Sequence, residues 1–334
     1  MRWKKMAKFL FLKVIILNKI LLNELRTKLI INQGVFIQGI GFDKRCLTVL
    51  KNIQISQFNK IIGVQNLHSR SKNLKHENEF LNLAGSRALI VGSNSKTVMG
   101  LVDELSDALN EIEFLSAKEI FFDITSLSHE ILVVLVGLLN ELNLLKNTTF
   151  LYTQASKYGS WLSKGVNEIR SILGFSGLMY PSRKLHLILL LGFELERAEE
   201  VINSYEPAKI TLGIGKREQS ISSEIFDLNN STKKEIENLI FSSGLDIDDI
   251  DHLYFSCLDP YLVKNQLLDY MKNINNKEEY NFIVAPLNNK ISTLGAAFAG
   301  LDNQDLQICY AEAEEYNYDS YVESNNFVSV FRFR

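Results

Sequence analysis

Four polar clusters stand directly behind apolar runs, and their residue types suit the binding of an anion. Asp43 and Arg45 follow "GVFIQGIGF", and Asp123, Thr125 and Ser126 follow "EIFF". Glu194 and Arg197 follow "LHLILLLGF", and Asn288, Asn289, Lys290 and Thr293 follow "NFIVAPL". Guanidinium and ammonium groups hold phosphate or carboxylate oxygens, and hydroxyls, amides and helix N-termini donate to them. Each cluster also has a purely structural reading. Arg45 and Arg197 can pair with the acid before them and fix a strand-to-helix corner. Thr125 and Ser126 can cap the helix that "DITS" opens, and Lys290 can lie in solvent.

Catalytic constellations are scarce. His129 and Glu130 are good acid–base types, but neighbours on a helix point about 100° apart. The five histidines show no metal-ligand spacing, and no G-x-S-x-G elbow is present. No metal is expected. Neither half has G-x-G-x-x-G behind its first strand, which disfavours a dinucleotide, and no cofactor is expected.

The elements that must position these residues come in two sets. "GVFIQGIGFDKR" and "LHLILLLGFELER" repeat one Gly-Phe-acid corner about 150 residues apart. "KIIGVQN" matches "KITLGIGKR", and "RALIVGSNS" matches "DHLYFSCLD". "EIFFDITSLSHEILVVLVGLL" matches "NFIVAPLNNKISTLGAAFAGL", and "TFLYTQASKY" shares Tyr-x-x-Ala-x-x-Tyr with "QICYAEAEEY". Five matches in one order imply an internal duplication. The runs are almost continuously apolar rather than alternating, as parallel strands covered on both faces require. Strands alternating with helical segments imply doubly wound sheets. The expected fold is therefore α/β, with two tandem Rossmann-like domains over residues 33–175 and 185–334. Each is a mostly parallel sheet of five or more strands flanked by helices.

Composition agrees with a folded chain: 334 residues, 46% hydrophobic and 22% charged, with a net charge of −3. That charge demands neither nucleic acid nor an anionic membrane. Cys46, Cys257 and Cys309 are too dispersed for a disulfide framework or zinc site, which fits a reducing cytoplasm. Residues 1–32 read as a basic, apolar helix. Lys13 and Lys19 break its apolar stretch, so a membrane span is not expected. A surface helix, a docking helix and an over-long gene start remain open for it.

With these residues in view, the chain resembles the CRISPR-associated Rossmann-fold (CARF-like) sensor domains, and "APLNNKISTLGAAFA" resembles their ligand-contacting loop. Residues 33–334 also resemble duplicated Rossmann-like proteins of bacterial defence loci. The resemblance implies a nucleotide or oligonucleotide ligand, a paired-domain site and a protein effector partner within an antiviral system. Two alternatives stay open. One is a nucleotide-processing hydrolase or transferase using Asp43, Asp123, His129 or Glu194. The other is a structural adaptor docking through residues 1–32.

Overall fold

The computed structural model describes residues 19–29, 33–67, 70–114, 119–243 and 249–333. Two sheets of mostly parallel strands are flanked by helices. Sheet 1 is built on β2 (Gly34–Ile40), β3 (Phe58–Gln65), β4 (Ala88–Val91), β5 (Ile120–Asp123) and β6 (Thr148–Tyr152). Its helices are α1 (Leu25–Lys28), α2 (Thr48–Asn52), α3 (Arg70–Ala84) and α4 (Val98–Phe114). Sheet 2 is built on β10 (Lys184–Leu190), β11 (Lys209–Gly215), β12 (Asp249–Phe255), β13 (Tyr280–Pro286) and β14 (Leu306–Glu312). Its helices are α5 (His129–Glu141), α6 (Leu195–Tyr205), α7 (Ser223–Ser243), α8 (Pro260–Lys272) and α9 (Lys290–Asp302).

The parallel strands run β4-β3-β2-β5-β6 in sheet 1 and β12-β11-β10-β13-β14 in sheet 2. Both orders place the first strand at the centre, next to the fourth. β2 is buried along its whole length, as expected of a central strand packed on both faces. Antiparallel strands complete each sheet. β17 (Phe327–Arg332) pairs with β6 and β1 (Lys19–Leu21) pairs with β17, while β9 (Glu168–Ser176) pairs with β14. Two short ribbons join β7 (Ala155–Tyr158) to β16 (Tyr321–Ser324) and β8 (Ser163–Lys164) to β15 (Glu315–Tyr316).

The compact units do not follow chain order. Unit 1 holds residues up to Leu127, Leu142–Tyr158 and Tyr321–Arg334, and unit 2 holds Ser128–Glu141 and Gly159–Ser320. The division expected from sequence, 33–175 and 185–334, assigns α5 and β9 to the first half and β17 to the second. Backbone pairing and helix packing assign them otherwise: β9 ladders onto β14, β17 onto β6, and α5 packs against α9 and β9. α5 is apolar nearly all round, as a helix buried on most sides must be. Phe175 of β9 is wedged between α5 and α9. A Cβ on Gly137 would lie 3.0 Å from its ring, and one on Gly300 only 2.7 Å.

For the expected N-terminal helix, residues 1–18 and 30–32 lie outside the described residues. Lys19–Leu21 is a strand rather than part of a helix. The edge of β17 offers unpaired backbone groups there, and Ile20, Leu22, Leu25 and Leu29 join the unit 1 core. That core is organised by edge-to-face rings, with Phe58 lying 5.5 Å from Phe36 and 6.0 Å from Phe121. Leu187, Leu189, Ile210, Leu212 and Ile283 centre the core of unit 2.

Candidate functional site

In open α/β sheets the crevice for a ligand lies beyond the carboxyl ends of the strands, where the order reverses. Here that point falls between β2 and β5 in sheet 1 and between β10 and β13 in sheet 2. The residues singled out from sequence stand at the ends of these four strands or in the loops and first helical turns that follow them.

In unit 1 they are occupied by one another. Arg45 Nε lies 3.1 Å from each Asp43 carboxylate oxygen, and Nη2 lies 2.6 Å from Oδ2. Its Nη1 donates to the Thr153 carbonyl at 2.9 Å. Both side chains are buried, so this pair fixes the corner. Asp43 also accepts from the Arg45 N–H at 2.9 Å. Asp123 accepts from the Thr125 N–H at 3.0 Å and from the Thr125 hydroxyl, and Thr125 Oγ1 accepts from the Thr153 N–H at 2.9 Å. Burial lifts the Asp123 carboxyl to about 7, against the pull of the Thr125 bonds and Arg45. Ser126 donates to the Gly39 carbonyl at 2.8 Å.

The expected capping by Thr125 and Ser126 is therefore replaced. α5 starts later, at His129, and Ser128 Oγ accepts from the Ile131 N–H at 3.1 Å. Thr125 and Ser126 are drawn away by nearer buried acceptors, the Asp123 carboxylate and the Gly39 carbonyl.

In unit 2 the same corner recurs. Arg197 Nη1 donates to Glu194 at 2.8 Å and Nη2 to the Ala311 carbonyl at 2.5 Å. Thr153 and Ala311 each follow the tyrosine that opens Tyr-x-x-Ala-x-x-Tyr, and both tyrosine pairs are bonded. Tyr310 and Tyr316 hydroxyls lie 3.1 Å apart, and Tyr152 bonds Tyr158. Asn288 Nδ2 donates to the Leu191 carbonyl at 2.5 Å. Asn289 caps α9, accepting from the Ser292 N–H at 2.9 Å, and its Nδ2 reaches the Cys257 carbonyl at 2.9 Å. A Cβ on Gly192 would lie 2.5 Å from the Leu287 carbonyl, so the chain itself closes the crevice between β10 and β13. Beside it the N-termini of α5 and α9 meet through His129 and Thr293 and form the rim of unit 2.

Two cations, Lys290 and the Glu194-paired Arg197, act on His129 there. Arg197 is buried and spends Nη1 and Nη2 as described, while its Nε–H has no acceptor among the described residues. Lys290 is half-buried at the first position of α9. His129 Nδ1 lies 2.5 Å from Thr293 Oγ1. Burial pushes the His129 ring well below its ordinary value, and Lys290 and Arg197 push it the same way.

The two units differ beneath the rim. Gln38 of β2 is registered opposite Asp123 of β5, whereas sheet 2 has Leu189 opposite Ala285 at the corresponding place. Among the described residues no group of His, Cys, Asp and Glu side chains could hold a metal ion, and no helix is long and apolar enough to cross a membrane. A cavity of about 310 Å³ opens at the opposite, amino-terminal ends of β10, β13 and β14, lined by Tyr180, Arg183, Tyr205 and Asn281 among others.

Sequence reasoning set His129 aside because it and Glu130 diverge, and they do. Glu130 turns to Arg170, which reaches it at 2.8 Å and also holds Glu168 and Glu312. The partner that brings His129 to the rim, Thr293, lies far along the chain, so local spacing carried no signal for it. Gln38 was also missed, although an amide within "VFIQGI" was visible as the polar exception in an apolar run. No family model matches the chain and no curated protein matches it, so a functional reading rests on these side chains.

Proposed function

We propose that the chain is a nucleotide- or oligonucleotide-binding sensor that signals to a protein effector in a bacterial antiviral system. The observation that carries this reading is the rim of unit 2. Lys290 stands at the start of α9, where backbone dipoles also favour negative charge, and both it and the buried Arg197 act on His129 beside it. A phosphate group matches that donor set. The close approach of Gly192 to the Leu287 carbonyl, and the divergence of His129 toward Thr293 and Glu130 toward Arg170, favour binding over turnover.

We also infer that the two sheets arose by duplication of one domain. Identical strand orders support this, as does the repeated arginine corner reaching a carbonyl at the end of the fifth strand. The likeness of "APLNNKISTLGAAFA" to the ligand loop of the CRISPR-associated sensors supports the defence role. Three free, buried thiols suit a reducing cytoplasm.

The test is thermal unfolding of the whole chain with mono-, di- and cyclic oligonucleotides, repeated with Lys290→Ala. Stabilisation by at least one of these, lowered in the variant, is expected. The absence of any shift across the series contradicts the reading.

A further inference from the structure

The cavity at the amino-terminal ends of β10, β13 and β14 lies at the opposite end of sheet 2 from the residues singled out so far. We propose that it is a second binding site, for a small monocarboxylate with an apolar or aromatic body, and that Arg183 holds the carboxylate. Its volume, about 310 Å³, is at the lower end of the range for small-molecule pockets. Its walls are mainly apolar, from Met179, Pro181, Leu185 and Ile283.

The loop over the cavity, residues 177–183 between β9 and β10, is held in place along its length. Gly177, at φ 67°, lies so close to β14 that a Cβ on it would stand 2.8 Å from the Gln307 nitrogen. The Leu178 N–H donates to the Gln304 carbonyl at 3.1 Å. Tyr180–Arg183 is a β-turn, closed by the Arg183 N–H on the Tyr180 carbonyl at 3.0 Å, with Pro181 at the position that favours it. Asn281 of β13 is buried and grips this turn. Its Oδ1 accepts from the Tyr180 N–H at 3.0 Å, and its Nδ2 donates to the Tyr180 carbonyl at 2.8 Å. Leu178, Met179 and Tyr180 nevertheless stay exposed. A loop already pinned in this way loses little freedom when a ligand settles against it.

The class of ligand follows from which polar groups are spent. Asn281 is spent on the turn, and Gln307 gives Nε2 to the Tyr205 hydroxyl at 2.8 Å. Arg183 differs. Its guanidinium carbon lies 4.0 Å from the centre of the Tyr180 ring, and its side-chain N–H groups make no hydrogen bond among the described residues. Stacking occupies the face of the group and leaves its edge, which carries the donors, for a carboxylate. The ion-pair partner of Arg183, Glu278, is 3.8 Å away, beyond hydrogen-bond reach, and its side chain is 76% exposed. Such a pair contributes little, so a ligand carboxylate displaces it readily. Apolar walls favour a single charge over a doubly charged phosphate, which costs more to desolvate.

Phenylacetate is the probe, with phenylacetamide as its uncharged counterpart. Binding to the whole ¹⁵N-labelled chain is followed by backbone amide shifts. Phenylacetate is expected to shift the Tyr180, Leu185 and Asn281 amides and to bind about tenfold more tightly than the amide. Arg183→Gln should abolish that preference and leave the weaker binding of the amide in place. The wild-type comparison and the map of shifts decide the matter should Arg183→Gln fail to fold. The site does not depend on the rim of unit 2, so a chain that ignores oligonucleotides still tests it. No binding, equal affinities for acid and amide, a preference that survives Arg183→Gln, or shifts confined to other parts of the chain would overturn the proposal.

Discussion

Gln38 on β2 stands opposite Asp123 on β5, and this buried pair keeps both Gln38 amide atoms and Asp123 Oδ2 without a hydrogen-bond partner among the described residues. Sheet 2 fills the corresponding places with Leu189 and Ala285. The fold therefore does not need polar groups there. Each unpartnered buried polar atom costs about 1–3 kcal/mol.

Asp123 makes that cost depend on pH. Its carboxyl is raised from 3.8 unfolded to about 7 folded, so the folded chain holds the extra proton. Stability from this group is present below pH 3.8 and is lost as pH rises toward 7. Asp123→Asn keeps an acceptor for Thr125 and cannot ionise. Relative to wild type it should gain on the order of 4 kcal/mol at pH 8 and little near pH 4, measured by urea unfolding. An equal difference at both pH values would contradict the assignment.

Arg45 is predicted to be structural. Arg45→Met leaves Asp43 buried without its counter-charge and should cost about 3–5 kcal/mol. Adding Asp43→Asn to it should restore a large part of that loss, because the stranded charge is gone. A double variant as unstable as the sum of the singles would mean that the pair does not interact as described.

His186 predicts the opposite pH behaviour from Asp123. It lies buried between Tyr280, Phe282 and Tyr270, with Nε2 2.7 Å from Thr211 Oγ1, and Tyr270 donates onward to Asp251 at 2.8 Å. Burial, with Lys209 adding to it, lowers the ring to about 3. Its contribution is present above pH 6.5 and is lost as pH falls toward 3. His186→Leu should remove up to about one proton from the slope of stability against pH between 6.5 and 4. An unchanged acid limb would contradict this.

Much of the architecture was legible because continuous apolar runs and turn residues report local structure. The runs ending at Ile40 and Leu190 became central strands, and Gly41-Phe42-Asp43 and Gly192-Phe193-Glu194 became matching corners. What was hidden depends on pairing between distant segments. Nothing local in "EIRSILGFS" says that it will ladder onto β14, nor that "FVSVFR" will close sheet 1. The same holds for the site. Asn289 as a cap follows from its place before "KIST", but the meeting of His129 and Thr293 depends on α5 packing against α9.

The central claim, that Lys290 on the rim of unit 2 contacts a phosphate of the ligand, is tested most directly by salt dependence. Affinity for the tightest-binding oligonucleotide is to be measured across a range of salt for wild type and Lys290→Ala. Loss of one phosphate contact should flatten the logarithmic slope by about 0.7 and weaken binding at low salt most. Parallel slopes for the two proteins would contradict the account.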